Sequence, residues 1–377
     1  MAQMEAGVID LLQVSLLPPF LVERLQEEFR LHDFVDPADP DRRLADIGPR
    51  ICDILAGGMK GPNANLINRL ECLKIIASFS VNFDSTDVVA AQARGVIVTH
   101  TPEVLTGDVA DLAMTFILMA PRPIGEAERY LRAGNWLRGR MDLGTTVRGK
   151  RLGILGLGRI GTAVACRAEV FRLNIAYHDI KPMGDLTYRS YPTLLDLAAA
   201  SDILLVACDG GEANRGLVDA VVLDALGPAG FLINAARGTI VDQPALVTAL
   251  RDGRIAGAAL DVFDGEPEVP AELMAMENVV LTPHIAASTH ETRRAMADLV
   301  YDNLRAHFAG KPVSLLCHRR IRARPKRRGG PRDGSLGYRC FVRRCRASPP
   351  TSPAIANENR AKLAGSGVAV AATVKRA

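Results

Sequence analysis

Short apolar runs alternate with longer segments of helical period along most of the chain. "GVIDLLQVS", "LKIIASFS", "GVIVTH", "RLGILGLG", "DILLVAC" and "GFLINAA" are too short for helices and rich in Val, Ile and Leu, so each reads as a buried strand. Between them, "PPFLVERLQEEFRL" and "DVADLAMTFILMA" place apolar residues at helical spacing. This alternation predicts the α/β fold class, with parallel sheets covered by helices on both faces.

The same pattern suggests where one lobe gives way to another. In "VTHTPEVLTGDVADLAM" a strand passes into a long apolar helix near residue 100, with Thr106 as the expected N-cap and Asp108 in the first turn. A second change of lobe is expected around residues 284–290. Pro123 should end or kink a helix. From Lys311 the periodicity stops, and the Arg-, Pro- and Gly-rich stretch 314–377 is expected to be disordered.

A chain of 377 residues with 48% apolar content can bury a large core and suits two domains. Its net charge of +4 hides two unlike parts: residues 313–377 hold 16 Lys and Arg against 2 Asp and Glu, while the rest holds 30 against 40. An acidic body speaks against nucleic acid as the main partner, leaving only the tail to support it. No apolar run approaches the ~18 residues of a membrane-spanning helix, and the start lacks the marks of a signal peptide, so a cytoplasmic protein with no membrane partner is expected. The seven cysteines have no metal-ligand spacing, and Cys317, His318, Cys340 and Cys345 match no common zinc pattern, so no metal is expected.

Candidate chemistry sits at the ends of the apolar runs. Gly156, Gly158 and Gly161 form G-x-G-x-x-G directly after the strand "LGIL" and open a helical stretch, with Arg159 and Ile160 inside the turn. Glycines belong there because the turn is tight, a pyrophosphate must approach the backbone, and the helix packs closely on its strand. The helix start then offers free N–H groups and a positive dipole end to phosphate. Asp179 follows the next strand, "IAYHD", at the spacing of a carboxylate that hydrogen-bonds ribose hydroxyls. It would repel a 2′-phosphate, with Lys181 nearby as a partial offset. These residues point to NAD(P), with Asp179 leaning to NAD.

Three further strand ends carry Arg237 in "FLINAARGTIVD", Asp261 and Glu266 in "GAALDVFDGEPEVP", and His284 in "LTPHIAAST". Arg237 can bind a carboxylate through two parallel hydrogen bonds and polarise an adjacent ketone, which the point charge of Lys does less well. His284 suits proton donation near neutral pH, and a carboxylate beside it, Glu266, would favour the imidazolium. Together they suffice for hydride exchange with a small 2-keto acid.

Several linked motifs carry a resemblance: "SFSVNFDSTD", "TPEVLTGDVADLA", "GLGRIGTAVA", "NAARGTIVD", "ALDVFDGEPEVP" and "LTPHIAAST". Over roughly residues 8–313 the chain resembles the D-isomer-specific 2-hydroxyacid dehydrogenases, most of all their glyoxylate/hydroxypyruvate reductase branch. The resemblance implies that Arg237, Glu266 and His284 are the catalytic set and that Asp261 contacts the nicotinamide carboxamide. It implies that Val81, Ala235 and Ala236 approach the cofactor, and that Gly57, Val81, Asn82 and Arg237 hold the substrate. It also implies a homodimer, and two Rossmann-like or flavodoxin-like lobes with the active site in the cleft between them. Residues 1–100 plus 285–313 would form the substrate lobe and residues 101–284 the nucleotide lobe. The branch leans to NADP, against Asp179.

The chain departs from the family pattern at Asn82 and Ala286, where glycine is usual, and at Pro123, where a basic residue is common. Residues 314–377 match no part of the family and read as a frameshift or fused tail, or as a nucleic-acid-binding arm. Two other functions remain open for the same fold: a corepressor-like scaffold that senses dinucleotide, and a formate- or phosphite-oxidising enzyme.

Overall fold

A computed structural model describes residues 8–58, 60–81, 83, 85–180 and 187–314. The expectations for Asn82, Lys181 and the tail from residue 315 onward, with its Cys317, His318, Cys340 and Cys345, fall outside these residues.

Twelve strands build two parallel sheets among the described residues. The first contains Asp10–Gln13 (β1), Arg30–Asp33 (β2), Ile51–Gly57 (β3), Ile75–Phe79 (β4) and Ile97–Thr99 (β5), in the order β2-β1-β3-β4-β5. The second contains Arg151–Leu155 (β6), Asn174–His178 (β7), Arg189–Ser190 (β8), Ile203–Val206 (β9), Phe231–Asn234 (β10), Gly257–Leu260 (β11) and Val279–Leu281 (β12). Its order, β12-β11-β10-β9-β6-β7-β8, runs outward in both directions from β6 and β9. The first order is flavodoxin-like and the second is the doubly wound dinucleotide-binding order, so the α/β class with two such lobes is what the chain adopts. Apolar clusters flank both sheets, and the inner strands β4 and β9 are buried along their whole length, as strands covered on both faces require.

Two local expectations change. The helical segment "PPFLVERLQEEFRL" ends early: the helix Pro19–Gln26 buries Leu21 and Leu25, and Arg30–Asp33 then pairs in parallel with β1 as an edge strand. Its pattern is not apolar because an edge strand stays half exposed. Thr106 is not an N-cap: it is the first residue of the helix Thr106–Met119, the cap position is Leu105, and no side chain bonds there. Asp108 instead supplies the negative charge that the first helical turn favours. Pro123 does separate two helices, Thr106–Met119 and Ile124–Arg132.

After β12 the chain returns to the first sheet. The helix His290–Phe308 buries Met296, Ala297, Val300 and Leu304 in one cluster with Leu11, Ile75 and Ala77. Thr289 caps this helix by accepting the Thr292 N–H, and its hydroxyl donates to Asp108. The start of the helix Thr106–Met119 is thereby tied to the start of His290–Phe308. No helix among the described residues is long and apolar enough to cross a membrane.

Candidate active site

The three fingerprint glycines have different reasons to be glycine. Gly156 has φ +91°, and a Cβ there would lie 2.7 Å from the Cys208 backbone. A Cβ on Gly161 would lie 2.2 Å from the Gly156 carbonyl oxygen, so these two serve close packing. Gly158 caps the helix Arg159–Val170, and nothing lies within 4 Å of where its Cβ would stand. Space is therefore open directly over a helix N-terminus, where free N–H groups and the dipole favour phosphate.

Arg159, the exposed first residue of that helix, pairs with no acid among the described residues. A cation at the positive end of a helix is disfavoured unless an anion joins it. Asp179 stands just past β7, and its Oδ2 accepts the Leu157 N–H at 2.8 Å, so the acid is fastened to the glycine turn. Burial, with the nearby charge of Asp209 adding to it, pushes the Cys208 thiol up to about 12, so it meets Gly156 as a neutral side chain. Open space at the helix N-terminus, a cation with no acid partner among the described residues and a tethered carboxylate fit a dinucleotide.

The Arg237 turn leaves β10 and is shaped by Asn234. Its buried side chain accepts the Ala236 N–H at 3.0 Å and donates to the Arg237 carbonyl at 2.9 Å, which sets the course of Ala235 and Ala236. The Arg237 Nη1 donates to the Ala236 carbonyl at 2.6 Å. A Cβ on Gly238 would fall 1.9 Å from the Phe263 carbonyl carbon, so the Arg237 turn lies directly against the segment that leads to Glu266.

Glu266 uses both oxygens. Oε1 accepts the Phe263 N–H at 2.9 Å, and Oε2 lies 2.6 Å from His284 Nδ1. A carboxylate only accepts, so Nδ1 carries the proton and Nε2 faces away from Glu266. Burial by itself raises the Glu266 carboxyl; the hydrogen bonds from His284 and the Phe263 N–H, with the charge of Arg237, outweigh it and hold the group below the ordinary glutamate range.

His284 has φ +52°, a left-handed conformation rarely taken by a residue with a Cβ. The loop around it is held by Asp261, which has no exposed surface. The Asp261 carboxylate accepts from Thr282 Oγ1 at 2.6 Å, the Ile285 N–H at 2.7 Å and the Ala286 N–H at 2.9 Å, and its backbone carbonyl accepts the His284 N–H at 2.9 Å. The Asp261 carboxylate thus orders the histidine loop at the end of β11. Ala286 turns its methyl into a cluster shared with Phe79, Val81 and Ile160.

That cluster brings the end of β4, the glycine turn and the histidine loop together, while Gly57 ends the neighbouring strand β3. Sequence reasoning passes over Asn234, Thr282, His100 and Thr101. Each is a polar residue at or just past the end of an apolar strand, where open α/β sheets collect functional groups, and that signal is available in the sequence. Among the described residues no group of three or more His, Cys, Asp or Glu is placed to hold a metal ion.

A family model described as "D-isomer specific 2-hydroxyacid dehydrogenase, NAD binding domain" matches residues 114–286. The chain is 47% identical over 305 residues to a glyoxylate/hydroxypyruvate reductase A of Arabidopsis thaliana, covering 81% of this chain and 97% of that protein. It is 46% identical over 306 residues to a hydroxyphenylpyruvate reductase of Plectranthus scutellarioides, with the same coverage. Among solved structures, the NADPH-dependent glyoxylate/hydroxypyruvate reductase of Sinorhizobium meliloti in complex with NADP and malonate is 42% identical with a TM-score of 0.78, covering 82% of this chain and 97% of that one.

Proposed function

The chain belongs to the D-isomer-specific 2-hydroxyacid dehydrogenases, which depend on NAD or NADP, and we propose that it reduces glyoxylate or hydroxypyruvate to the D-2-hydroxy acid. The observation that carries this reading is the 2.6 Å contact between Glu266 and His284, with the Arg237 turn packed alongside through Gly238.

Arg237 presents a planar fork of donors that binds the substrate carboxylate and polarises the ketone. A reduced nicotinamide held here would supply the hydride for the carbonyl carbon. His284 gives a proton from Nε2 to the oxygen that becomes the hydroxyl. Glu266 holds the Nδ1–H, which fixes the ring orientation and supports the positive imidazole before the proton leaves. The backbone near Gly57 and Val81 receives the substrate carboxylate.

Gly156, Gly158, Arg159, Ile160 and Gly161 would hold the pyrophosphate, and Ala235 and Ala236 would border the cofactor. Asp179 would accept from the ribose hydroxyls and repel a 2′-phosphate, which favours NAD. We read residues 101–284 as the nucleotide lobe and the first sheet with the returning helix as the substrate lobe. A homodimer accounts for the segment 124–143: the helix Ile124–Arg132 buries no residue, and Trp136, Leu137 and Leu143 are 70%, 96% and 99% exposed.

Purified protein mixed with a panel of 2-keto acids and either NADH or NADPH tests the reading. Oxidation of the nucleotide with glyoxylate or hydroxypyruvate is expected. Protein that binds the dinucleotide yet turns over none of the acids is not such a reductase.

A further inference from the structure

The Ser80–Val81 segment after β4 is held from one side by the two residues that follow β5. The Ser80 carbonyl accepts twice from Thr101, from the backbone N–H at 2.7 Å and from Oγ1 at 3.0 Å, and Thr101 is buried. The Val81 carbonyl lies 2.6 Å from His100 Nδ1. A carbonyl only accepts, so this nitrogen carries the proton and the neutral imidazole is sufficient. Burial, together with the charge of Arg159, keeps His100 below the ordinary histidine range against the opposing pull of the Val81 carbonyl, so it is neutral at neutral pH. Phe83 meets the imidazole edge to face with ring centres 5.6 Å apart, and Ser78 Oγ lies 2.7 Å from Ser80 Oγ on the strand side. The turn is braced on three sides.

A trans peptide points its C=O and N–H in opposite directions. Fixing the Ser80 carbonyl on Thr101 therefore turns the N–H of the same peptide, that of Val81, away from Thr101. No hydrogen-bond partner meets this N–H among the described residues. An oriented backbone N–H without a partner is a donor ready for an anion.

We propose that His100 and Thr101 are positioning residues that hold the Ser80–Val81 peptide so that the Val81 N–H receives the carboxylate of the keto acid. The proposal rests on the reductase reading above. Neither side chain touches the reacting atoms; both act through the orientation of one peptide.

Three variants test it. Thr101→Val keeps the shape and removes the Oγ1 donor, His100→Leu removes the donor to Val81, and His100→Asn keeps an N–H at a similar reach. The readouts are KM for glyoxylate, KM for the reduced nucleotide, and calorimetric binding of oxalate, an unreactive dicarboxylate, to protein saturated with NAD. Thr101→Val and His100→Leu are expected to weaken glyoxylate KM and oxalate binding by about five- to tenfold, the loss of one hydrogen bond, with nucleotide KM nearly unchanged. His100→Asn should restore both to within about twofold of wild type. Unchanged oxalate binding in His100→Leu with an unaltered melting midpoint, or His100→Asn as weak as His100→Leu, overturns the proposal. Should Thr101→Val fail to fold, the two His100 variants decide. Wild-type turnover decides the reductase reading, whereas the ratio of variant to wild-type oxalate binding decides the positioning role.

Discussion

Oε2 of Glu266 lies 2.6 Å from Nδ1 of His284 while Oε1 of the same carboxylate accepts the Phe263 N–H, so one half-buried acid fixes the imidazole and is itself fixed by its own segment. Glu266→Gln removes the charge and keeps the size. We expect kcat for keto-acid reduction to fall by about 10²-fold, with nucleotide affinity little changed. The stability effect has a defined sign. Because the folded protein holds Glu266 below its ordinary value of 4.5, the pair stabilises above that pH and the contribution is lost as pH falls through the lowered folded value. Melting curves of wild type and Glu266→Gln should therefore converge as pH drops below 4.5, and parallel curves down to strong acid would refute the pairing.

Asp179 bonds the Leu157 N–H and so places its charge beside the glycine turn. Asp179→Ser relieves repulsion of a 2′-phosphate while leaving a hydroxyl for the ribose. The ratio of kcat/KM for NADPH to that for NADH should rise by about tenfold or more, the worth of one charge contact. An unchanged ratio would show that this carboxylate does not meet the ribose.

Trp136, Leu137 and Leu143 expose large apolar surfaces on a segment with no buried helical residue. Light scattering should report a dimer for the wild type. Trp136→Asp combined with Leu137→Asp should give monomers at micromolar concentration, since charge cannot be buried unpaired in an apolar interface. A wild-type monomer would rule out the dimer.

Much of this arrangement is legible in the sequence because its chemistry is local. Gly156, Gly158 and Gly161 follow a strand and open a helix, and Asp179 follows the next strand, so spacing alone relates them. Arg237, Glu266 and His284 each stand just past an apolar run, where parallel strands gather their ends. Features that depend on distant partners are not legible in this way. β2 reads as a helix extension because its four residues are half exposed at a sheet edge. Thr101 meets Ser80 across 21 residues of chain, and only the pairing of neighbouring strands reveals it. Asp261 binds a loop 21 to 25 residues ahead, so its spacing says nothing of the three groups it accepts from.

Asp53 lies in the middle of the first sheet, fully buried, and among the described residues neither of its oxygens has a hydrogen-bond partner of good geometry. Burial raises its carboxyl well above 3.8, opposed only in part by the nearby N–H groups of Ala77 and Ile54. A folded-state value above the unfolded one stabilises at low pH and costs stability as pH rises from 3.8 toward the raised value. Asp53→Asn does not ionise, so its melting midpoint should exceed that of wild type at pH 7 by roughly 3 °C or more. The advantage should shrink near pH 4, and a gap that does not change with pH would contradict the assignment.

Proton donation by His284 is tested by comparing reduced-nucleotide oxidation by wild type and His284→Ala with saturating glyoxylate or hydroxypyruvate at neutral pH. Loss of about 10²- to 10⁴-fold in kcat, with fluorescence titration showing nucleotide affinity preserved, is the expected result. A His284→Ala rate equal to that of the wild type would contradict it.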